Sequence, residues 1–302
     1  MSGTADSMKS VLYALGANLA IALAKSAGAF YTGSSAMLAE SIHSFADCGN
    51  QGLLLWGMRS VRKPPNAEHP LGYGKAIYFW SFIVALMLFS MGGLFSIYEG
   101  VHKLRHPEPL KDAWIALSIL AFGIVAESVS LWGAVREINK ERGPRGYWAW
   151  FRQSRTSELV VIFGEDIAAL GGLVLAFGFI LTALATGNPM WDALGSVAIG
   201  ALLVLVAVLV GKEVASMLLG QSADPAVVRQ LREHLAQQPE VQRVLNVITQ
   251  QLGPDVMVAV KAQMKPQGGE RELIDAVNRV ERSLRQAFPQ LRWCFFEADH
   301  SD

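Results

Sequence analysis

Long apolar stretches constrain this chain more than any other feature. A helix needs about 20 mostly apolar residues to cross a hydrocarbon core of roughly 30 Å. Six segments are of that kind, at about 8–30, 35–61, 76–101, 113–136, 157–186 and 190–211. Turn and charge signals separate them. Thr32-Gly33-Ser34 breaks the first pair, and Lys63-Pro64-Pro65-Asn66 follows the second. His106-Pro107-Glu108-Pro109 follows the third, and Gly187-Asn188-Pro189 divides the last two. In lipid every backbone polar group must find its partner within the protein, so such segments are expected as a bundle of six transmembrane helices.

Composition supports this. Of 302 residues, 52% are hydrophobic and 17% charged, against roughly 25% charged in soluble domains. That excludes a disordered chain. The 26 Lys and Arg balance 26 Asp and Glu, so the basic face of a nucleic-acid binder is not expected. Cys48 and Cys294 lie too far apart in sequence to read as a disulfide framework or a four-thiolate zinc site. Met1–Ser7 lacks a basic n-region, so no cleaved signal peptide is expected. Lys and Arg in short loops set orientation. Lys9, Arg59, Arg62, Lys63, Lys75, Arg136, Lys140, Arg142, Arg145, Arg152, Arg155 and Lys212 fall on one side, against Lys103, Arg105 and Lys111 on the other. Both termini are therefore expected in the cytoplasm, with the bacterial inner membrane as the setting by analogy.

After about Leu219 the character changes. Asp224-Pro225 reads as a helix cap with a first-turn proline. Val227, Val228, Leu231 and Leu235 mark one amphipathic helix, and Leu273, Val277, Val280 and Leu284 mark a second over Glu270–Phe288. Val244–Gln251 and Val256–Met264 read as strands around a tight turn at Gly253-Pro254-Asp255, and Leu291–Glu297 as a third. The expected architecture is a transmembrane domain over 1–215 and a small α+β, ferredoxin-like (αββαβ) cytoplasmic domain over 216–302.

Ionisable groups inside spans are costly and usually face a bundle interior or a water-filled path. The second span carries Glu40, His43, Asp47 and Asn50 at spacings of 3, 4 and 3, on one helical stripe. The fifth carries Glu165 and Asp166, the fourth Glu127 and the first Lys25. At 1.5 Å per residue, Asp47 lies roughly 20 Å from either end of its helix and Asp166 roughly 16 Å from Arg155. The two helices run in opposite directions, so these carboxylates reach similar depth and can face each other. Imidazole with carboxylate suits zinc better than magnesium or calcium. A proton is the natural counter-substrate, because ligands must be deprotonated to hold metal. Lys25, and Glu40 nearer its outer end, each also read as structural groups, capping a helix or pairing with some other helix, and Glu127 reads equally as structural or as a ligand. Cys48 points off the stripe and reads as packing. Trp56, Trp80, Trp132, Trp148, Trp150 and Trp191 read as interface anchors or packing. Gly16, Gly28, Gly171, Gly172 and Gly195 read as sites of close helix approach.

Three segments resemble the cation diffusion facilitator family. They are YTGSSAMLAESIHSFAD at Tyr31–Asp47, HPLGYGK at His69–Lys75 and DALGS at Asp192–Ser196. Asp47-Cys48-Gly49-Asn50-Gln51, Ala126-Glu127-Ser128, Ser154-Arg155, Glu165-Asp166 and Gly187-Asn188-Pro189 are similar to the branch with the animal mitochondrial zinc exporter. The resemblance implies a homodimeric antiporter that moves zinc or a similar ion out of the cytoplasm against protons by alternating access. It also implies a transport site of two pairs, one on the second helix and one on the fifth. His43 and Asp47 match the first pair. Asp166 matches the last member of the second, but Ile162 stands where its partner belongs and cannot ligate. The fourth ligand is then Glu127 or Glu165 ahead of Asn50, or a water. Glu165 is rotated about 100° from Asp166 around the helix.

Two further family sites are thinly furnished here. Only Glu68 and His69 are present in the loop after the second span. The tail has His234, His300, Glu297 and Asp299, with His234 read as a solvated surface residue and the tail as a source of dimer contacts. No nucleophile–base constellation suggests an enzyme, and no cofactor is implied beyond the transported ion. Iron, manganese or cobalt remain alternative cargoes, and a membrane metal sensor or a channel are alternative functions.

Overall fold

The computed structural model describes residues 3–107 and 109–301, with side chains from Asn18 onward. The readings of Met1–Ser7, Lys9, Gly16 and Glu108 lie outside the described residues or side chains. The elements follow in the order α1 (Gly3–Thr32), α2 (Ser35–Val61), α3 (Ala76–Met87), a π-helical stretch (Leu88–Leu94), α4 (Phe95–Arg105), α5 (Ala113–Glu141), α6 (Tyr147–Gln153), α7 (Ser157–Thr186) and α8 (Met190–Gly220). Then come α9 (Pro225–Ala236), β1 (Val241–Leu252), β2 (Asp255–Met264), α10 (Glu270–Ala287) and β3 (Leu291–Ala298). Two compact units result: Met1–Trp56 with Trp80–Gly146 and Glu158–Val214, and Gly57–Phe79 with Tyr147–Ser157 and Ala215–Asp302.

The first unit is helical. Among the described residues, four helical stretches are long and apolar enough to cross a membrane: Ala76–Arg105, Ala113–Glu141, Ser157–Thr186 and the one beginning at Met190. Six were expected from the sequence. The helix α2 has the length, at 27 residues, but its polar stripe dilutes its apolar character. Small residues let two rods touch backbone to backbone. A methyl group on Gly100 would stand 2.8 Å from the Ala193 carbonyl and on Gly93 3.1 Å from the Val204 nitrogen. The Ser196 hydroxyl donates to the Ser96 carbonyl at 2.8 Å along the same seam. This is the small-residue packing that replaces the hydrophobic effect between helices in lipid.

In the second unit the order αββαβ is as the patterning indicated, on a three-stranded sheet ordered β1-β2-β3. Strand β1 is antiparallel to β2, and β3 is parallel to β2. Strand β1 starts three residues before the alternation suggested, because register shifts at Val241/Arg243 and Val244/Asn246 absorb the irregular pattern. A two-residue loop joins Leu252 to Asp255, with Gly253 at φ 66°. A side chain would strain that backbone, and Gly supplies it freely. Asp224 caps α9 by accepting from the Ala226 amide at 2.8 Å, with Pro225 in the first turn. Leu231 and Leu235 of α9 and Ala276, Val280 and Leu284 of α10 are buried in the core with Val256, Val258 and Val260 of β2. His234 is not the solvated residue its helix pattern suggested. Its Nε2 lies 2.8 Å from the Ser283 hydroxyl and its ring stands edge-on to Phe288, so it ties α9 to α10.

Candidate ion-binding site

The stripe on α2 begins from a fixed end. Asp192, in the first turn of α8, accepts from the Ser35 amide at 2.7 Å, the Ser35 hydroxyl at 2.9 Å, the Ala36 amide at 3.4 Å and the Ser34 hydroxyl. A carboxylate from one helix thus caps the N-terminus of another, where unpaired amides and the helix dipole favour negative charge. Only a long-range view reveals that partnership, since 157 positions separate Asp192 from Ser35.

Below this cap the stripe is buried and under-satisfied. Glu40, His43 and Asn50 are fully buried. His43 Nδ1 stands 3.6 Å from Asp47 Oδ1, too far for a hydrogen bond. Neither ring nitrogen of His43 has a hydrogen-bond partner, and neither do Glu40 Oε1, Asp47 Oδ1 or Asn50 Oδ1. Buried polar atoms are almost always paired, so such a row of orphans points to a ligand. Gly92, in the π-helical stretch, leaves room beside the His43 ring: a methyl group there would come within 3.8 Å of Nδ1. Single π turns inside helices often sit at functional positions.

The two neighbouring acids of α7 part company, as their 100° rotation on the helix requires. Glu165 is buried and accepts from the Asn50 side-chain amide. Asp166 faces α5 and accepts from the Ser130 hydroxyl at 3.3 and 3.4 Å. Glu127 lies one turn before Ser130 on α5 and is half-buried. It shares α5 with Ser130, the hydroxyl that Asp166 accepts from. The structure therefore sets His43 beside Asp47, joins Asn50 to Glu165 and turns Asp166 toward α5. Among the described residues no three His, Cys, Asp or Glu side chains close on one point tightly enough to hold an ion as they stand. Glu165, which the sequence placed among alternatives for the fourth ligand, is the acid of α7 that meets the α2 stripe.

The other candidates have local partners. His69 stacks on Tyr73 with ring centroids 4.2 Å apart, and its amide donates to Asn66 Oδ1. Glu297 and Asp299 face Lys261 at 3.9 and 3.0 Å. The Lys261 ammonium holds the Asp299 carboxyl below its ordinary range.

Residues 11–219 match the cation efflux transmembrane domain. The chain belongs to the cation efflux family, the cation diffusion facilitators, near its animal mitochondrial branch. The family's members are transporters, not enzymes. This cation efflux protein is 36% identical over 225 residues to the mitochondrial proton-coupled zinc antiporter SLC30A9 of Homo sapiens, which covers 74% of this chain and 40% of that protein. It is 34% identical over 266 residues to the Xenopus laevis antiporter of the same name, covering 85% and 47%. It is 23% identical over 274 residues to the zinc transporter ZitB of Escherichia coli, covering 90% and 82%. The chain thus spans less than half the length of the two antiporters.

Proposed function

We propose that this protein exports zinc, or a similar divalent cation, in exchange for protons, through a mid-membrane site between α2 and α7. In this reading His43, Asp47 and Asp166 are ligands, and Glu165 is favoured as the fourth, with Glu127 and Asn50 beside it. The observation that carries the reading is the row of buried, unpartnered polar atoms on α2 opposite the acids of α7. A divalent cation would satisfy them together. Once it leaves, the same imidazole and carboxylates accept protons, which makes exchange a property of the site. Small rotations of α7 against α2 would gather the pairs on one face of the membrane and part them on the other.

The zinc assignment draws on His43 and on the names of the relatives. Six spans, cytoplasmic termini, the bacterial inner membrane, a homodimer and a ferredoxin-like tail over 216–302 complete the proposal. The test is zinc flux in proteoliposomes holding the full chain. Flux should rise with an opposing pH gradient, and Asp47→Ala or Asp166→Ala should abolish it while the protein still melts cooperatively. Retained flux in both variants would dismiss the site. Conduction indifferent to the pH gradient would make it a channel, and binding without flux a sensor.

A further inference from the structure

Lys25 and Glu40 are fully buried charges to which the exchange reading gives no task. The Lys25 ammonium stands 3.2 Å from Glu40 Oε2 and donates to the Ser44 hydroxyl at 2.7 Å. That engages one carboxylate oxygen only. Glu40 Oε1 has no hydrogen-bond partner, although it is buried. It occupies a notch that exists because residue 172 of α7 has no Cβ, since a methyl group there would collide with it.

The next ionisable group along α2 after that carboxylate is the transport-site imidazole. Glu40 precedes His43 by three residues and Asp47 follows it by four, so His43 is flanked by an acid on each side along the stripe. Both ring nitrogens are unpartnered. The ring can therefore serve an ion on the Asp47 side or on the Glu40 side. A carboxylate with one oxygen on an ammonium and one free can bridge that ammonium to a metal. The fixed positive charge of Lys25 would then repel the ion and keep its residence there short.

We propose that Glu40 and His43 form a second station for the divalent cation, one turn along α2 from the His43–Asp47 pair, and that Lys25 tunes this station for release. The proposal rests on the reading that His43 takes the ion. It makes Lys25 a positioning and affinity-setting residue. The bland alternative is a buried ion pair that only joins α1 to α2, in which case zinc would not sense its removal.

The experiment compares zinc affinity, by competition with a chelating dye, in the purified full chain and in Lys25→Met and Lys25→Met/Glu40→Gln. Lys25→Met should bind zinc about tenfold tighter or more, as loss of a nearby fixed cation implies, and should release it more slowly. The double variant should lose that gain, because the freed carboxylate is gone. Wild-type affinity in Lys25→Met, or an equal gain in both variants, overturns the station while leaving the exporter reading intact. A wild-type chain that neither binds nor moves zinc removes both. Breaking one half of a buried pair can unfold a protein. If Lys25→Met does not fold, a zinc-loaded wild-type crystal decides. Anomalous density within about 2.2 Å of Glu40 Oε1 supports the station. Density confined to the Asp47 side refutes it.

Discussion

At the scale of single residues, the clearest contribution is Asp192. It serves two backbone amides and two hydroxyls at the head of α2. Hydrogen bonds to a charged acceptor are worth roughly 1.5–3 kcal/mol, and buried amides left without one incur a desolvation cost. We expect Asp192→Ala to lower stability by about 2 kcal/mol, read as a fall of several degrees in the melting temperature of the detergent-solubilised protein. An unchanged melt would mean that water replaces the cap. Cys294 gives a second residue-scale test. Burial pushes its thiol up to about 11. Its thiolate is therefore about a thousandth of the population at pH 8, and the thiolate is the reactive form. Native protein should leave Cys294 unalkylated by maleimide at pH 8, and unfolding should expose it. Rapid native labelling, mapped by peptide mass, would contradict the burial. His43 carries the selectivity test. His43→Asp gives the site an all-oxygen character, so relative flux should move from zinc toward manganese or iron. Unchanged selectivity in competition flux assays would show that the imidazole does not discriminate.

At the scale of elements, the π-helical stretch Leu88–Leu94 interrupts an otherwise continuous helix beside His43. One inserted residue distinguishes such a stretch from an α-helix. Deleting the exposed Met91 should let the rod continue as an α-helix whose two ends keep their facing, with only the wide turn beside His43 lost. Gly92 would then leave His43. We expect zinc flux to collapse while the melting transition persists, and intact flux would make the π turns incidental. This element had no signature in the sequence, because an i→i+5 turn is built from the same apolar residues as its neighbours. The strands were legible for the opposite reason. Val256, Val258 and Val260 alternate, and a period of two has one structural meaning. On α2 the spacings of 3, 4 and 3 display the polar stripe in the sequence itself. What they could not display was the partner across the bundle. Adjacent acids on α7 look equivalent in a string, and only helix packing sends Glu165 to Asn50 and Asp166 to Ser130. His234 departs from its helix pattern on the same ground, since its partners Ser283 and Phe288 lie in α10 and just after it.

At the scale of the whole molecule, the three-stranded sheet has two unlike faces. One is packed under α9 and α10 around Val258 and Cys294. On the other, Ile248 pairs with Ala259 and Ala259 with Phe295, so the three form one cross-strand row. Ile248 and Phe295 are 59% and 56% exposed, high for large apolar side chains placed side by side. Asn246, Lys261 and Glu297 form the adjoining row and give it a polar border. An apolar centre with a polar rim is the anatomy of a protein interface. If the proposed homodimer forms through this face, the row would meet its copy, because a two-fold axis brings the same patch of each subunit into contact. Two charges placed there should oppose each other across the axis. We therefore expect Ile248→Glu with Phe295→Glu to shift the protein from dimer to monomer by mass photometry in detergent, with the melting temperature of each subunit little changed. Ion binding at the α2 stripe should survive in the monomer, since every group proposed as a ligand comes from one chain. A variant that remains dimeric would move the contact to another surface, and a wild-type chain that is monomeric would retire the homodimer altogether.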